Sequence, residues 1–283
     1  MLELLLVDRH SSRVFCRFLI ASLLGGKLGE WCPKLGDEYV IRSMMKLIVS
    51  LWAALSCLGF AQGGYVPEEG SDELRKKRGK KEMKVDPSLP MVLILGDSIS
   101  IGYTSGVRKL LKGKANVIHN PGNSQGTTHT LKHLDDWLKL QKWDVIHFNL
   151  GLHDLKRVKV AGSSQNSDDP KDPYQADLKT YTENLERVVA KLKGSGAQLI
   201  FATTTPFPAG VSPYRDPADA KRYNEAALKV VGSEGIEVND LYALMLPRLG
   251  EVQRAKNVHF KPQGSALMAE QVAKKISAQL AEK

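Results

Sequence analysis

The sequence predicts an α/β protein: a three-layer α/β/α sandwich around a central parallel sheet of about five strands. Three observations carry this reading. Short apolar runs alternate with helix-period stripes, chemistry-bearing residues follow the ends of the runs, and about 200 residues suffice for one such core. The strands expected are Met91–Leu95, Asn116–His119, Val145–Asn149, Gln198–Thr203 and Ile236–Asn239. Between the later ones Tyr181, Leu185, Val188, Val189 and Leu192 recur at helical spacing, and Ala269, Val272, Ala273, Ile276 and Leu280 repeat the device in the last helix. Both stripes read as core surface, without chemistry. No internal repeat of solenoid length is present.

The first part of the 283 residues is composed differently. Met45-Lys46 precedes the apolar run Leu47 to Leu58, and Gly59-Phe60-Ala61 follows as a small-residue site. Residues 44–61 therefore read as a signal peptide cleaved after Ala61, which makes the protein secreted or periplasmic. Spanning a bilayer takes about twenty apolar residues, so no stable transmembrane anchor is expected. Residues 1–43 read as an over-extended start or an N-terminal extension. The competing account is an uncleaved anchor that also uses Val14 to Leu24. All three cysteines, Cys16, Cys32 and Cys57, precede the cleavage point, so no disulfide or thiolate site belongs to the folded part.

Formal charge is +9, and part of it is concentrated in Arg75-Lys76-Lys77-Arg78-Gly79-Lys80-Lys81. That run lies in residues 62–88, whose low apolar content predicts a solvated, flexible basic linker ahead of a domain at 89–283. After an export signal, its natural partner is an acidic polysaccharide or envelope polymer. A plain solubilising tether is the simpler reading of the run. No zinc-finger or helix-turn-helix pattern supports a nucleic-acid partner.

Chemistry enters at Gly96-Asp97-Ser98-Ile99-Ser100, where the first strand breaks into a turn. Strand carboxyl ends open onto the crevice of a parallel sheet, and the N–H groups starting the next helix face a developing negative charge there. Asp and Ser are also ordinary turn and cap residues, so the nucleophile reading of Ser98 needs a base. His259, in Asn257-Val258-His259-Phe260-Lys261-Pro262-Gln263-Gly264 before the last helix, supplies the candidate.

With these blocks the chain resembles the SGNH hydrolases, the GDSL-like esterase and lipase family, over about residues 89 to 282. Four stretches carry the resemblance: Gly96 to Ser100, the turn Asn120-Pro121-Gly122-Asn123-Ser124-Gln125-Gly126-Thr127, Gly151-Leu152-His153-Asp154, and Val258-His259-Phe260 with Pro262 and Gly264. The resemblance implies a flavodoxin-like SGNH hydrolase fold and catalysis by Ser98 and His259. It also implies an oxyanion hole from the Ser98 N–H, an amide of the Gly122 to Gly126 turn, best Gly126, with Asn123 contributing, and the residue at position 153.

Two departures stand out. The family's Gly-Xaa-Asn-Asp block has His153 in place of asparagine, and imidazole still offers one N–H. The aspartate that orients the base in the family's Asp-Xaa-Xaa-His block is replaced by Lys256, beside Asn257. The working expectation is therefore a Ser98–His259 dyad, with Asp97, Asp154 and Asn257 as orienting or supporting residues. In a serine protease, exchanging that aspartate for asparagine costs about ten-thousand-fold.

Other signals are weaker. Leu155 to Tyr174 and Thr203 to Pro217 read as long loops shaping substrate access, with Phe207 and Tyr214 placed to stack on a sugar or acyl chain. His129, His133 and Asp136 have spacing that could share a metal, but solvated helix-face histidines read better, and no metal is expected. His119 and His147 read as structural. Without a phosphate-binding loop or dinucleotide fingerprint, no cofactor is expected. The resulting expectation is a secreted, cofactor-independent serine esterase acting on small esters, preferably O-acetyl groups on carbohydrate. The alternatives are a non-catalytic glycan- or envelope-binding module on the same fold, or a thioesterase or acyltransferase.

Overall fold

The computed structural model describes residues 85–282. The signal peptide expected at 44–61, the extension expected upstream of it and most of the expected basic linker lie outside the described residues. Within them the chain runs β1 (Met91–Leu95), α1 (Ser98–Leu110), β2 (Asn116–His119), α2 (Thr127–Leu138), β3 (Val145–Phe148), α3 (Leu178–Gly194), β4 (Gln198–Ala202), α4 (Pro217–Ser233), β5 (Glu237–Asn239), α5 (Leu241–Met245), a 3₁₀ turn at Leu246–Arg248, α6 (Leu249–Val252) and α7 (Pro262–Ala281). All five strands are parallel, in the order β2-β1-β3-β4-β5. This is the expected doubly wound α/β architecture.

Each strand is short and apolar because both faces of the sheet are covered. Val92 to Leu95 and Val145 to Phe148 are fully buried. Helices α1 and α7 pack together on one face, while α2, α3 and α4 form a continuous layer on the other. The α3 stripe from Tyr181 to Leu192 is buried as its spacing predicts. In α7 the stripe is buried as far as Ile276, and Leu280 is half-exposed as the helix leaves the core.

One contact fixes how α1 and α7 meet. A Cβ on Gly106 would lie 2.6 Å from the Ala269 Cβ, so the two helices approach closely only because α1 carries a glycine there. These helices matter for the site, because α1 begins at Ser98 and α7 is entered through His259. The order of strands reverses direction between β1 and β3, which opens a crevice at their carboxyl ends. No helix among the described residues is long and apolar enough to cross a membrane.

Candidate active site

Ser98 is the first residue of α1, held there by its neighbours. Asp97 caps the helix by accepting from the Ile99 N–H at 2.9 Å. The helix start leaves the Ser98 N–H without an intrahelical acceptor. Behind it the backbone is crowded: a Cβ on Gly96 would sit 2.0 Å from Asn149 Oδ1, so only glycine lets β1 turn so close to the end of β3.

His259 reaches the serine from the far end of the chain. Its Nε2 is 2.8 Å from Ser98 Oγ, and its Nδ1 is 2.7 Å from Asn257 Oδ1. The same Oδ1 accepts from the His259 backbone N–H at 2.9 Å. That second contact decides the proton inventory. A backbone N–H is an obligate donor, so the amide must present its oxygen, and Nδ1 facing that oxygen must carry the ring proton. Nε2 is left free to accept the serine proton. Asn257 thus does what the missing aspartate would do for the tautomer.

The stretch bearing the base is braced from below. Gln253 Nε2 donates to Pro206 O and Val258 O at 3.0 Å each, and the Arg254 N–H donates to His259 O at 3.0 Å. Burial lowers the His259 pKa below its ordinary value, and the cationic Arg254 and Arg215 lower it further.

Two of the expected orienting residues lie elsewhere. Asp97 is buried, and its Oδ1 takes the Ile99 N–H and, at 3.3 Å, Asn149 Nδ2; it caps a helix and does not touch His259. Asp154, after β3, is buried against the start of α2, accepting from the Thr127 N–H at 2.8 Å and Thr127 Oγ1 at 2.6 Å. Burial pushes its pKa up to about 7 against those hydrogen bonds. Both carboxylates therefore fasten helix starts around the site, and the amide of Asn257 alone holds the base.

The Gly122 to Gly126 turn is tied to the serine by the Ser124 N–H, which donates to Gly96 O at 3.0 Å. Asn123 Oδ1 accepts from the Gln125 N–H at 2.8 Å, leaving its Nδ2 as the remaining donor. Gln125 adopts φ 53°, a left-handed conformation that costs a non-glycine residue about 1–2 kcal/mol. Gly126 caps α2, and a Cβ there would be 3.0 Å from Asp154 Oδ1.

His153 follows β3. Burial drives its pKa down to about 3, helped by Lys156 and Arg215, so the ring is neutral. Its buried Nδ1 has no hydrogen-bond partner. Leaving that atom bare and protonating Nε2 costs least, because an orphaned donor is worse than an orphaned acceptor.

A cleft of about 570 Å³ opens from Ser98 and His259 along the seam between α1 and α7, past Gly102, Gly106 and Ser265. Arg254 lines it as well. Neither Arg254 nor the buried Arg215 stands out in the sequence, since a guanidinium reads the same whether paired or free. Phe207 is buried and is core, not a stacking platform, whereas Tyr214 is half-buried. The His129 and His133 rings lie 4.4 Å apart on α2, and no group of three or more His, Cys, Asp or Glu able to hold a metal occurs among the described residues. His147 is buried in β3 with Nε2 3.0 Å from Asn239 Nδ2.

The model of the GDSL-like lipase/acylhydrolase family matches residues 94–267. The chain belongs to that family. Solved structures agree on the SGNH fold. A lipase/acylhydrolase from Enterococcus faecalis is 21% identical with a TM-score of 0.56, covering 67% of this chain and 96% of its own. An acetyl xylan esterase is 16% identical with a TM-score of 0.53, covering 66% and 99%. The psychrotrophic esterase EstA from a Pseudoalteromonas species, in a structure inhibited by monoethylphosphonate, is 16% identical with a TM-score of 0.52, covering 68% and 98%. No curated protein sequence matches the chain. As an SGNH hydrolase, it stands in a family whose members are generally esterases and lipases.

Proposed function

We propose that this SGNH hydrolase is a serine esterase that cleaves O-acetyl groups from carbohydrate through an acyl-enzyme on Ser98. The observation that carries the reading is the 2.8 Å contact between Ser98 Oγ and an imidazole nitrogen whose partner, Nδ1, is committed to Asn257. Ser98 Oγ attacks the acyl carbon while its proton passes to His259 Nε2. The carbonyl electrons move to the oxygen, and the tetrahedral species collapses when the alcohol oxygen leaves with the proton from Nε2. Water then attacks the acyl-enzyme, gives its proton to Nε2, and the acid departs as Ser98 recovers its hydrogen.

The negative oxygen meets the Ser98 N–H, the Gly126 N–H and the His153 Nε2–H. Each such donor is worth about 2.7–4 kcal/mol in the transition state. A neutral His153 suits the task because its single proton stays in place over the working pH range. Carbohydrate acetyl esters are supported by the acetyl xylan esterase among the structural neighbours and by the export signal read in residues 44–61. In this reading the enzyme acts outside the cytoplasm, and the basic stretch before the domain engages acidic polysaccharide.

The test is covalent. A fluorophosphonate probe applied to the full chain is expected to label Ser98, identified by peptide mass spectrometry, with labelling abolished in His259→Ala. Labelling at another residue, or none, overturns the mechanism without depending on the substrate.

A further inference from the structure

Arg254 lines the same cleft as Ser98 and His259, and no Asp or Glu lines that cleft with it. Among the described residues its side chain forms no ion pair and no hydrogen bond, while its backbone N–H is fixed to His259 O at 3.0 Å. The guanidinium is thus presented from an exposed loop position pinned by the isolated Gln253–Phe260 bridge. A second guanidinium stands beneath the site. Arg215 is 5% exposed, donating from Nε to Leu152 O at 2.8 Å and from Nη1 to Pro213 O at 3.1 Å, with no carboxylate bound to it. Those carbonyls satisfy its hydrogen bonds, and the buried Asp97 offsets part of its charge.

Arg254 is exposed at the cleft, and its positive charge meets no acidic side chain in the lining. Asp97 and Asp154, the carboxylates nearest in sequence to the site, are turned onto backbone and hydroxyl donors. Charge complementarity therefore calls for a negative group on the substrate. An acetyl group has nowhere to carry it, so the charge must lie on the alcohol side of the ester.

We propose that Arg254 selects O-acetyl esters whose alcohol portion is anionic, such as an acetylated uronate or another acidic saccharide. This rests on the esterase reading and names its substrate class. Arg254 donates charge-assisted hydrogen bonds to the anion, which orients the ester for Ser98 and is felt mainly in KM.

The experiment compares 4-acetoxybenzoate with 4-acetoxybenzamide, a pair differing in charge but not in shape, using full-length protein, Arg254→Gln and Arg254→Lys. The expected kcat/KM ratio favours the anion by about 10-fold, collapses in Arg254→Gln and is partly kept in Arg254→Lys. Added salt is expected to lower the ratio. Turnover of both esters with equal efficiency, or an unchanged ratio in Arg254→Gln, overturns the proposal and leaves the esterase intact. Calorimetric binding of the two esters to Ser98→Ala, with and without Arg254→Gln, separates the other failure. Arg254-dependent binding of the anion to a protein that hydrolyses neither ester supports the anion site and sinks the esterase reading, and neither turnover nor binding ends both.

Discussion

Two serine–imidazole contacts lie side by side in this molecule. Ser98 Oγ is 2.8 Å from His259 Nε2, and Ser100 Oγ is 2.7 Å from His119 Nε2. Both serines sit in the first turn of α1, and both imidazoles have Nδ1 on an oxygen, Asn257 Oδ1 in one case and the Asn120 carbonyl in the other, at 2.7 and 2.8 Å. The pairs differ in what else the hydroxyl does. Ser98 is half-buried at the mouth of a cleft, with its Oγ committed only to the base. Ser100 is fully buried, so no substrate can reach it, and its Oγ also lies 2.7 Å from Asp97 O, so its one hydrogen is shared between that carbonyl and His119 Nε2. Distance alone does not make a nucleophile: access and an uncommitted proton do.

The largest effect should separate the two pairs directly. Ser98→Ala is expected to reduce kcat for acetyl-ester hydrolysis by about 10⁶-fold, as removal of a nucleophile does elsewhere. Ser100→Ala is expected to leave kcat within a few-fold while lowering unfolding free energy by about 1–3 kcal/mol, because His119 loses a buried partner. Denaturant titration beside steady-state kinetics reads both. A reversed pattern would mean that the buried pair does the chemistry.

A smaller effect tests the surroundings that Ser100 lacks. His153→Ala should lower kcat by about 10²- to 10³-fold with KM little changed, the signature of a donor used in the transition state. His153→Asn, which restores an amide donor, should recover part of the loss. Equal damage to kcat and KM would point to substrate binding instead.

The smallest effect is a displacement along the pH axis. His259 works as a base only when neutral, and burial, Arg254 and Arg215 all hold its pKa below the ordinary 6.5. Activity should therefore persist on acidification past that value and fall only as pH drops through the lowered pKa. Asn257→Asp, which sets a negative charge beside Nδ1, should move this acid limb upward. A limb that does not move would remove His259 from the titrating role.

Much of this was legible in the chain before any coordinates. Val92 to Leu95 and Val145 to Phe148 announce buried strands because both sheet faces are covered, and the α3 stripe follows from one helical period. Strand ends shifted by one residue at Asn149, Thr203 and Ile236, within the ordinary spread of such boundaries. Ser98 and His259 were legible as motif residues, but the meeting of groups 161 positions apart is set by the packing of α1 on α7. The destinations of Asp97 and Asp154 were not legible, since a carboxylate three atoms from several donors can bond any of them. Phe207 reads as a surface aromatic in a proline-rich loop, yet the loop folds it inward. The place of Arg254 in the cleft was hidden for the same reason: pairing is a property of neighbours.

Clasping the base with an amide has a consequence for where such an enzyme can operate. A carboxylate in that place would itself take up a proton in sour surroundings and slacken its hold, whereas the Asn257 oxygen has no ionisation to lose. In the proposed mechanism the imidazole keeps its orientation wherever its ring is neutral, and the limit toward acid is set by the ring and not by the grip.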